Sequence, residues 1–290
     1  METNEGISVI IPFKNRANTI LRAIKSVENQ KINFPIEIIL VDDFSSDESL
    51  RIIKNYSIKI PYKIITNKVS LGGAVSRNIG ANNSNYNYLA FLDSDDEWIH
   101  DHLISSLSFI KKNNIDGCFS SFNLISNSNK YLRKLPSYNN GNFLNYIFIS
   151  NGDSRTSTIV LKKEIFLKTL FHQNAQKHQD WDLMLRISNR FNIKSKNDPS
   201  VNIYIDEENR MSNYYNVYES EKFILRNRSH FSGLTLNLFR LNMMLKMVKC
   251  NCSKKDLISQ FSKIKFSFKS FNLKAIILII YICLNFFLRK

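Results

Sequence analysis

The chemistry of this chain gathers first at Asp93-Ser94-Asp95-Asp96, where three carboxylates fall within four residues. Carboxylates crowded in this way repel one another unless a positive charge sits among them. A hard divalent cation, Mg2+ or Mn2+, is the best-matched partner, because it takes oxygen ligands and shares its remaining positions with phosphates. The same residues could also be an acidic turn before a helix, with Asp96 or Glu97 at the helix N-terminus. A second acidic stretch is His178-Gln179-Asp180-Trp181-Asp182. Trp181, Leu183, Met184 and Ile187 share one helical face, so Asp180 opens a helix, where a carboxylate commonly serves as a cap. Asp182 lies about 200° further round that helix and points elsewhere.

These residues need elements to position them. Tyr88–Leu92 is apolar throughout, as a strand buried on both faces is, and it stops at Asp93. Ligands of open α/β sheets bind outside the carboxyl ends of strands, where this cluster falls. Earlier strands are read at Ser8–Phe13, ended by Pro12, at Ile36–Val41 and at Tyr62–Thr66. Helical spacing follows each: Ile20, Leu21, Ile24 and Val27; then Leu50, Ile52 and Ile53; then Ala74 to Ala81 after Gly72-Gly73. That alternation predicts a parallel, doubly wound sheet with right-handed crossovers. A dinucleotide-binding domain is excluded, since Pro12-Phe13-Lys14-Asn15-Arg16 contains no glycine, and no Gly-Lys-Ser/Thr loop occurs either. Phosphate must then be held through metal and cationic side chains. Phosphatases of the haloacid dehalogenase type also open with Asp-x-Asp, but on a first strand and with Thr or Val next; here Asp96 and Glu97 follow.

The strand ends together carry a resemblance. "SVIIPFKNR", "EIILVDDFSSDES", "GGAVSRNIGA" and "YLAFLDSDDEW" resemble the successive motifs of family 2 glycosyltransferases, which have the GT-A fold. The resemblance covers about residues 7–105 and resumes at His178–Asp182. It implies a mostly parallel, Rossmann-like GT-A sheet, a nucleotide-sugar donor, a divalent metal and inverting transfer. It places Pro12, Phe13 and Asn15 at the nucleotide-sugar site. It has Asp43, or its neighbour Asp42, accept a hydrogen bond from a uracil-type base, leaving a strand-end turn cap for the other. Arg77 is expected near the nucleotide rather than as a solvated helix residue. Asp93 is expected to face the ribose with Ser94 beside it, Asp95 to bind the metal, and Asp96 to support that ligand or cap a helix. Asp180 falls where the family has its catalytic base, with Gln179 replacing a common Glu, and Arg210 where a cation closes over the diphosphate. Lys14 departs from the family, in which an aromatic residue is frequent at this point.

Charge divides the chain. Lys and Arg number 40 against 25 Asp and Glu, but from Lys222 onward 14 basic residues face Asp256 alone, +13 of the total +15. Such a tail seeks an anionic surface. Leu257, Phe261, Ile264, Phe268 and Phe271 recur at helical spacing among lysines, a pattern expected to lie in a membrane interface. Ala275–Leu288 is apolar but for Asn285; fourteen residues of helix reach only about 21 Å, short of the roughly 30 Å hydrocarbon core. Packing on the protein or a dimer contact is the plainer role for both segments. Four cysteines form no disulfide framework, and Met1–Gly6 is polar and acidic, unlike a signal peptide.

The sequence thus predicts residues 1–215 as a catalytic domain, with a nucleotide half (1–105) and an acceptor half (106–215), and 216–290 as a basic helical extension. The expected partners are a nucleotide-sugar donor, a saccharide or lipid-linked acceptor and an anionic membrane surface, with no nucleic acid. The expected location is cytoplasmic, peripheral on the inner membrane face. A non-catalytic sugar-nucleotide-binding subunit would not need Asp180, and a nucleotidyltransferase would carry a glycine-rich phosphate loop.

Overall fold

The computed structural model describes residues 5–127, 129–205, 216–250, 252–264 and 272–287. In chain order they form β1 (Ile7–Phe13), α1 (Ile20–Glu28), β2 (Ile36–Asp42), α2 (Ser49–Asn55), β3 (Tyr62–Thr66) and α3 (Gly73–Asn82). Next come β4 (Tyr88–Phe91), β5 (Glu97–Trp98), α4 (His102–Asn113), β6 (Gly117–Ser120), β7 (Phe122–Ile125), β8 (Lys130–Arg133) and α5 (Phe143–Phe148). The chain continues through β9 (Val160–Lys162), α6 (Lys163–Leu167), α7 (Gln179–Ser188), β10 (Ile193–Lys196) and β11 (Val201–Tyr204). It closes with α8 (Val217–Arg226), α9 (Gly233–Lys249), α10 (Lys254–Phe261) and α11 (Leu273–Phe287).

Two compact units result, Met1–Gly141 with Asp153–Glu208, and Asn142–Gly152 with Asn209–Lys290. The first holds a seven-stranded sheet ordered β10-β6-β9-β4-β1-β2-β3 and a four-stranded sheet ordered β5-β11-β7-β8. In the larger sheet β1 to β4 pair in parallel, as the βα alternation requires, while β9 enters antiparallel between β4 and β6. All seven residues of β1 are buried, which explains its apolar run, and the one polar member, Ser8, donates to Glu37 Oε1 at 2.6 Å. Pro12 does not end β1 but pairs with Val41. Its missing N–H is harmless, because β4 stops pairing at Phe91 opposite Ile10. The carboxyl ends of β1, β2 and β4 therefore open on one edge.

The segment Cys118–Phe122, which reads as one strand, is two. Residues to Ser120 belong to the larger sheet and Phe122 starts the smaller one. The polar stretch 126–141 contains β8, paired with β7, although its Tyr131 and Leu132 remain exposed. Thr156–Thr158 is a 3-10 turn, with the strand beginning only at Val160.

In the second unit, Phe148 of α5 joins Phe223, Phe231 and Phe239 in an aromatic cluster. That cluster is why Asn142–Gly152 belongs with the C-terminal helices, although the sequence alone assigns it to an acceptor half. α9 opens on a capping box between Ser232 and Thr235. Glu221 on α8 accepts from Arg240 of α9 at 2.7 Å and from Lys263 at 3.0 Å. Leu257 and Ile264, expected on an outward face, are buried, and α10 packs on α9. Phe268 and Phe271 lie outside the described residues. The outward apolar face is on α11 instead, where Leu273, Ile276, Ile277, Ile280, Tyr281 and Leu284 are all exposed. No helix among the described residues is long and apolar enough to cross a membrane.

One glycine in the first unit sets how closely helix and sheet approach. A Cβ on Gly80 of α3 would lie 2.6 Å from Ile10 Cγ2 on β1 and 3.3 Å from Val41 Cγ2 on β2. Gly80→Val should therefore lower stability by about 2–3 kcal/mol, through overpacking. A urea melt reads this directly; an unchanged midpoint would mean that α3 can slide outward at no cost.

Candidate active site

Each strand end supplies part of the site. β4 ends in a turn closed by Asp96 N–H donating to Asp93 C=O at 3.0 Å, and the chain then enters β5. Neither Asp96 nor Glu97 caps a helix, since α4 begins only at His102. The turn folds back because β5 pairs with β11, which leaves no room for a helix at this point. One ligand oxygen each from Asp93, Asp95 and Asp96 lies within 4.8 Å of the others. This is a set of hard oxygen donors that fits Mg2+ or Mn2+.

The cluster is held from several directions. Ser157 donates from Oγ to Asp96 Oδ2 at 2.6 Å, accepts from Asp93 N–H at 3.1 Å, and its carbonyl accepts from Trp98 Nε1 at 2.7 Å. Arg16, after β1, brings its guanidinium to 3.8 Å from Asp95 Oδ2. Arg22 on α1 donates to the Asp95 carbonyl at 2.5 Å while stacking on Tyr204 at 3.6 Å from its centroid. Ser94 is buried inside the turn.

Arg77, on α3, is buried rather than solvated. Its guanidinium donates to Asp93 Oδ1 at 2.5 Å and to Gln179 Oε1 at 2.8 Å. It therefore joins the β4 cluster to the first residue of α7, next to Asp180. Asp93 and Gln179 stand 86 positions apart in the sequence, and this one side chain links them.

Asp180 lies in the first turn of α7, with Trp181 N–H donating to its Oδ1 at 2.9 Å. Burial pushes its carboxyl up to about 6; the Arg155 cation opposes the rise, and the Asp153 and Asp93 carboxylates add to it. Asp153 holds Arg155 by Nε at 3.0 Å and also accepts from Trp181 Nε1 at 3.1 Å. The Asp153 carboxylate in turn keeps the Arg155 guanidinium more strongly charged, against its burial. Asp182 is buried and paired with Arg186 at 2.9 Å, away from this group.

The ends of β1 and β2 form the adjoining wall. Pro12 and Phe13 are buried, and Phe13 C=O accepts from Asp43 N–H at 2.8 Å. Exposed Asn15 donates from its N–H to Ser45 Oγ at 3.0 Å and accepts from Ser46 N–H at 2.8 Å. Asp42 takes the turn-cap role, accepting from Ser45 N–H at 2.9 Å. Asp43 does something different. Its Oδ1 accepts from Leu71 N–H (2.7 Å), Asn67 (3.0 Å) and Ser76 (3.2 Å), and its Oδ2 from Ser70 and Gly72 N–H (both 2.9 Å). Burial alone would raise its carboxyl, but the bonds from Leu71, Asn67, Ser70 and Gly72 outweigh this and hold it below the usual range.

Arg210 lies outside the described residues. Sequence reasoning missed Ser157, Asp153, Arg155, Arg16 and Arg22. The run of hydroxyls at Thr156-Ser157-Thr158 was the one local signal, since three small donors before a buried strand are available to brace a neighbour.

Comparison with known proteins identifies the family. Residues 8–171 match the sequence profile described as Glycosyl transferase family 2. The amylovoran biosynthesis glycosyltransferase AmsB of Erwinia amylovora is 32% identical over 194 residues, 62% of this chain and 63% of that protein. An Escherichia coli protein, UDP-Glc:alpha-D-GlcNAc-diphosphoundecaprenol beta-1,3-glucosyltransferase WfgD, is 34% identical over 124 residues, 42% of this chain and 47% of its own. The chain spans from 26% to 63% of the length of the first curated relatives it matches. Among solved structures, S. aureus TarS 1-349 in complex with UDP-GlcNAc superposes with a TM-score of 0.63 at 17% identity, over 97% of this chain and 80% of that one. That likeness fixes the fold as GT-A-like, and the sequence match carries the conclusion that the chain belongs to glycosyl transferase family 2.

Proposed function

We propose that this chain is an inverting glycosyltransferase that moves a sugar from a UDP-sugar to a saccharide or lipid-linked acceptor in surface polysaccharide synthesis. The observation that carries the reading is the Arg77 bridge, which sets the carboxylate cluster of β4 beside Asp180. AmsB, named for amylovoran biosynthesis, and WfgD, named for a diphosphoundecaprenol-linked acceptor, support the acceptor class.

In this reading Asp95 binds Mg2+ or Mn2+, with Asp93 and Asp96 completing the oxygen set and Asp93 near the ribose. A divalent ion there would offset the charge of the diphosphate and of the departing UDP. Pro12, Phe13, Asn15 and the Asp42–Asp43 end of β2 form the nucleotide wall, Ser94 shapes the turn, and Arg77 and Arg210 supply cations. Asp180 accepts the proton of the acceptor hydroxyl as its oxygen bonds to the anomeric carbon. The bond from that carbon to the diphosphate breaks on the opposite face, its electron pair leaves with UDP, and the configuration inverts. A base with a pKa of about 6 is ionised near neutrality yet still basic enough to take the proton. Arg155 keeps that charge tolerable.

The membrane proposal rests on α11 and on charge. Its exposed residues recur at i, i+3, i+4, i+7, i+8 and i+11, one continuous apolar face, in a region that carries +13. Such a face fits an interfacial helix on the inner surface of the cytoplasmic membrane.

Three outcomes follow. UDP binding measured by calorimetry should need Mn2+, and Asp95→Ala should mimic EDTA; equal affinity with and without metal would remove the metal role. Asp180→Asn should leave UDP affinity near wild type and cut turnover by about 10²–10⁴-fold. It should also raise stability at pH 7. With the folded pKa lifted from 3.8 to about 6, the folded state holds its proton more tightly than the unfolded chain. That contribution is present below the unfolded value and lost as pH rises through about 6, so at pH 7 the wild type carries a penalty of about 1–3 kcal/mol. Denaturant melts of both proteins at pH 4 and pH 7 measure it, and a gap that does not widen with pH would refute the buried-base account. Finally, co-sedimentation with vesicles should depend on anionic lipid and fall with salt, and Ile277→Asp with Ile280→Asp should abolish it. Binding that ignores lipid charge would leave α11 as a protein contact.

A further inference from the structure

Lys130, Arg133 and Lys134 are the only charged residues between Asp116 and Asp153. All three fall on or directly after β8, the edge strand of the smaller sheet. Tyr131 and Leu132 stand among them, 54% and 58% exposed. The register says which of these side chains face the candidate site. Phe122 of β7 pairs with Arg133, and Leu124 with Tyr131. Directly paired residues of antiparallel strands share a face, so Arg133 and Tyr131 lie on the side of Phe122 and Leu124. That face runs on through Ile203, which pairs with Leu124, and Val201, which pairs with Trp98. Its inner members reach the site. Trp98 Nε1 donates to Ser157 C=O at 2.7 Å, and the Arg155 guanidinium lies 5.7 Å from the centre of the Phe122 ring. Arg155 is the cation that acts on Asp180. Arg133 and Tyr131 therefore continue outward the wall that begins beside Asp180, while Lys130 and Leu132 lie on the other face.

An arginine and an exposed aromatic two residues apart stand on the order of 7 Å from each other along one strand face. A guanidinium takes a phosphate through two parallel hydrogen bonds, which a neutral sugar cannot match. A tyrosine ring offers an apolar face with a polar tip to whatever lies next to that phosphate. We propose that Arg133 and Tyr131 form an acceptor subsite for a phosphate attached to the acceptor sugar. Arg133 binds the phosphate, Tyr131 packs on the group beyond it, and Lys134 adds to the attraction from just past the strand. Both are specificity residues, selecting phosphate-linked over neutral acceptors. This rests on the glycosyltransferase reading above. A charged edge strand also blocks edge-to-edge pairing. That role is served by charge of either sign, so reversing the sign at Arg133 separates the two.

The test uses the full chain with Mn2+ and saturating UDP, so that the donor site is filled. Calorimetry then compares two probes, N-acetylglucosaminyl diphosphate esterified to a short alkyl chain, and the alkyl glycoside of the same sugar without phosphate. Wild type should prefer the diphosphate. Arg133→Glu should weaken it on the order of tenfold while leaving the glycoside and UDP unchanged. Tyr131→Ala should weaken it roughly three- to tenfold. If Arg133→Glu fails to fold in a urea melt, Arg133→Gln carries the same comparison. A wild type with no preference for the diphosphate overturns the proposal, as does an Arg133 variant that keeps the preference or loses both probes equally. Loss of binding to anionic vesicles by Arg133→Glu, with the probe preference intact, would assign β8 to a membrane surface instead. Wild type that does not bind UDP at all would remove the nucleotide-sugar reading, and this proposal with it.

Discussion

Mutual repulsion of carboxylates governs this site. Asp93, Asp95 and Asp96 converge within 4.8 Å, with Asp180 and Asp153 feeling the same field. Like charges this close, partly shielded from water, oppose the fold. The structure disperses the cost among cations from separate elements: Arg16 after β1 on Asp95, Arg77 from α3 on Asp93, and Arg155 between Asp153 and Asp180. None is close in sequence to the cluster. The charges can meet only if the parallel sheet brings its carboxyl ends to one edge, so sheet register and electrostatic balance are one requirement.

That explains which features were legible in the sequence. β1 to β4 and the helices between them are local patterns, a run of apolar residues or a 3.6-residue stripe, and their positions could be read directly. Asp93 and Asp95 were legible because acids crowded at the end of an apolar strand are unusual locally, and Asp180 only through the family resemblance, since an acid at a helix start is commonly a cap. Ser157, Asp153 and Arg155 were not. Their roles come from β9 inserting antiparallel beside β4, a pairing between residues about seventy positions apart that no local pattern encodes. The division of 118–125 between two sheets escaped for the same reason, because both halves have identical strand character. In the tail, periodicity found amphipathic helices but could not choose which face is covered; α10 turns its apolar side to α9, and α11 leaves one outward.

Preorganisation here is polar, not hydrophobic. The loops after β1, β2 and β3 contain few buried apolar residues, yet Asp43, Asp42, Asn15 and Asp47 lace them together through backbone N–H groups. Asp47 accepts from Ala17 N–H at 3.0 Å and from Ser49 Oγ at 2.5 Å, joining the loop after β1 to the start of α2. Fully satisfied networks of this sort fix geometry at a modest net gain in stability. They can also hold Phe44 at φ 65°, in the left-handed region, because the bonds on either side outnumber the single strained torsion.

Segregation of charge along the chain follows from the same electrostatics. Residues 1–221, which hold the carboxylate cluster, are nearly neutral and carry only +2 of the total +15. Spreading the remaining +13 over this region would place lysines among the clustered carboxylates, where they would pair with them. Confining them to residues 222–290 leaves the cluster as the dominant local field.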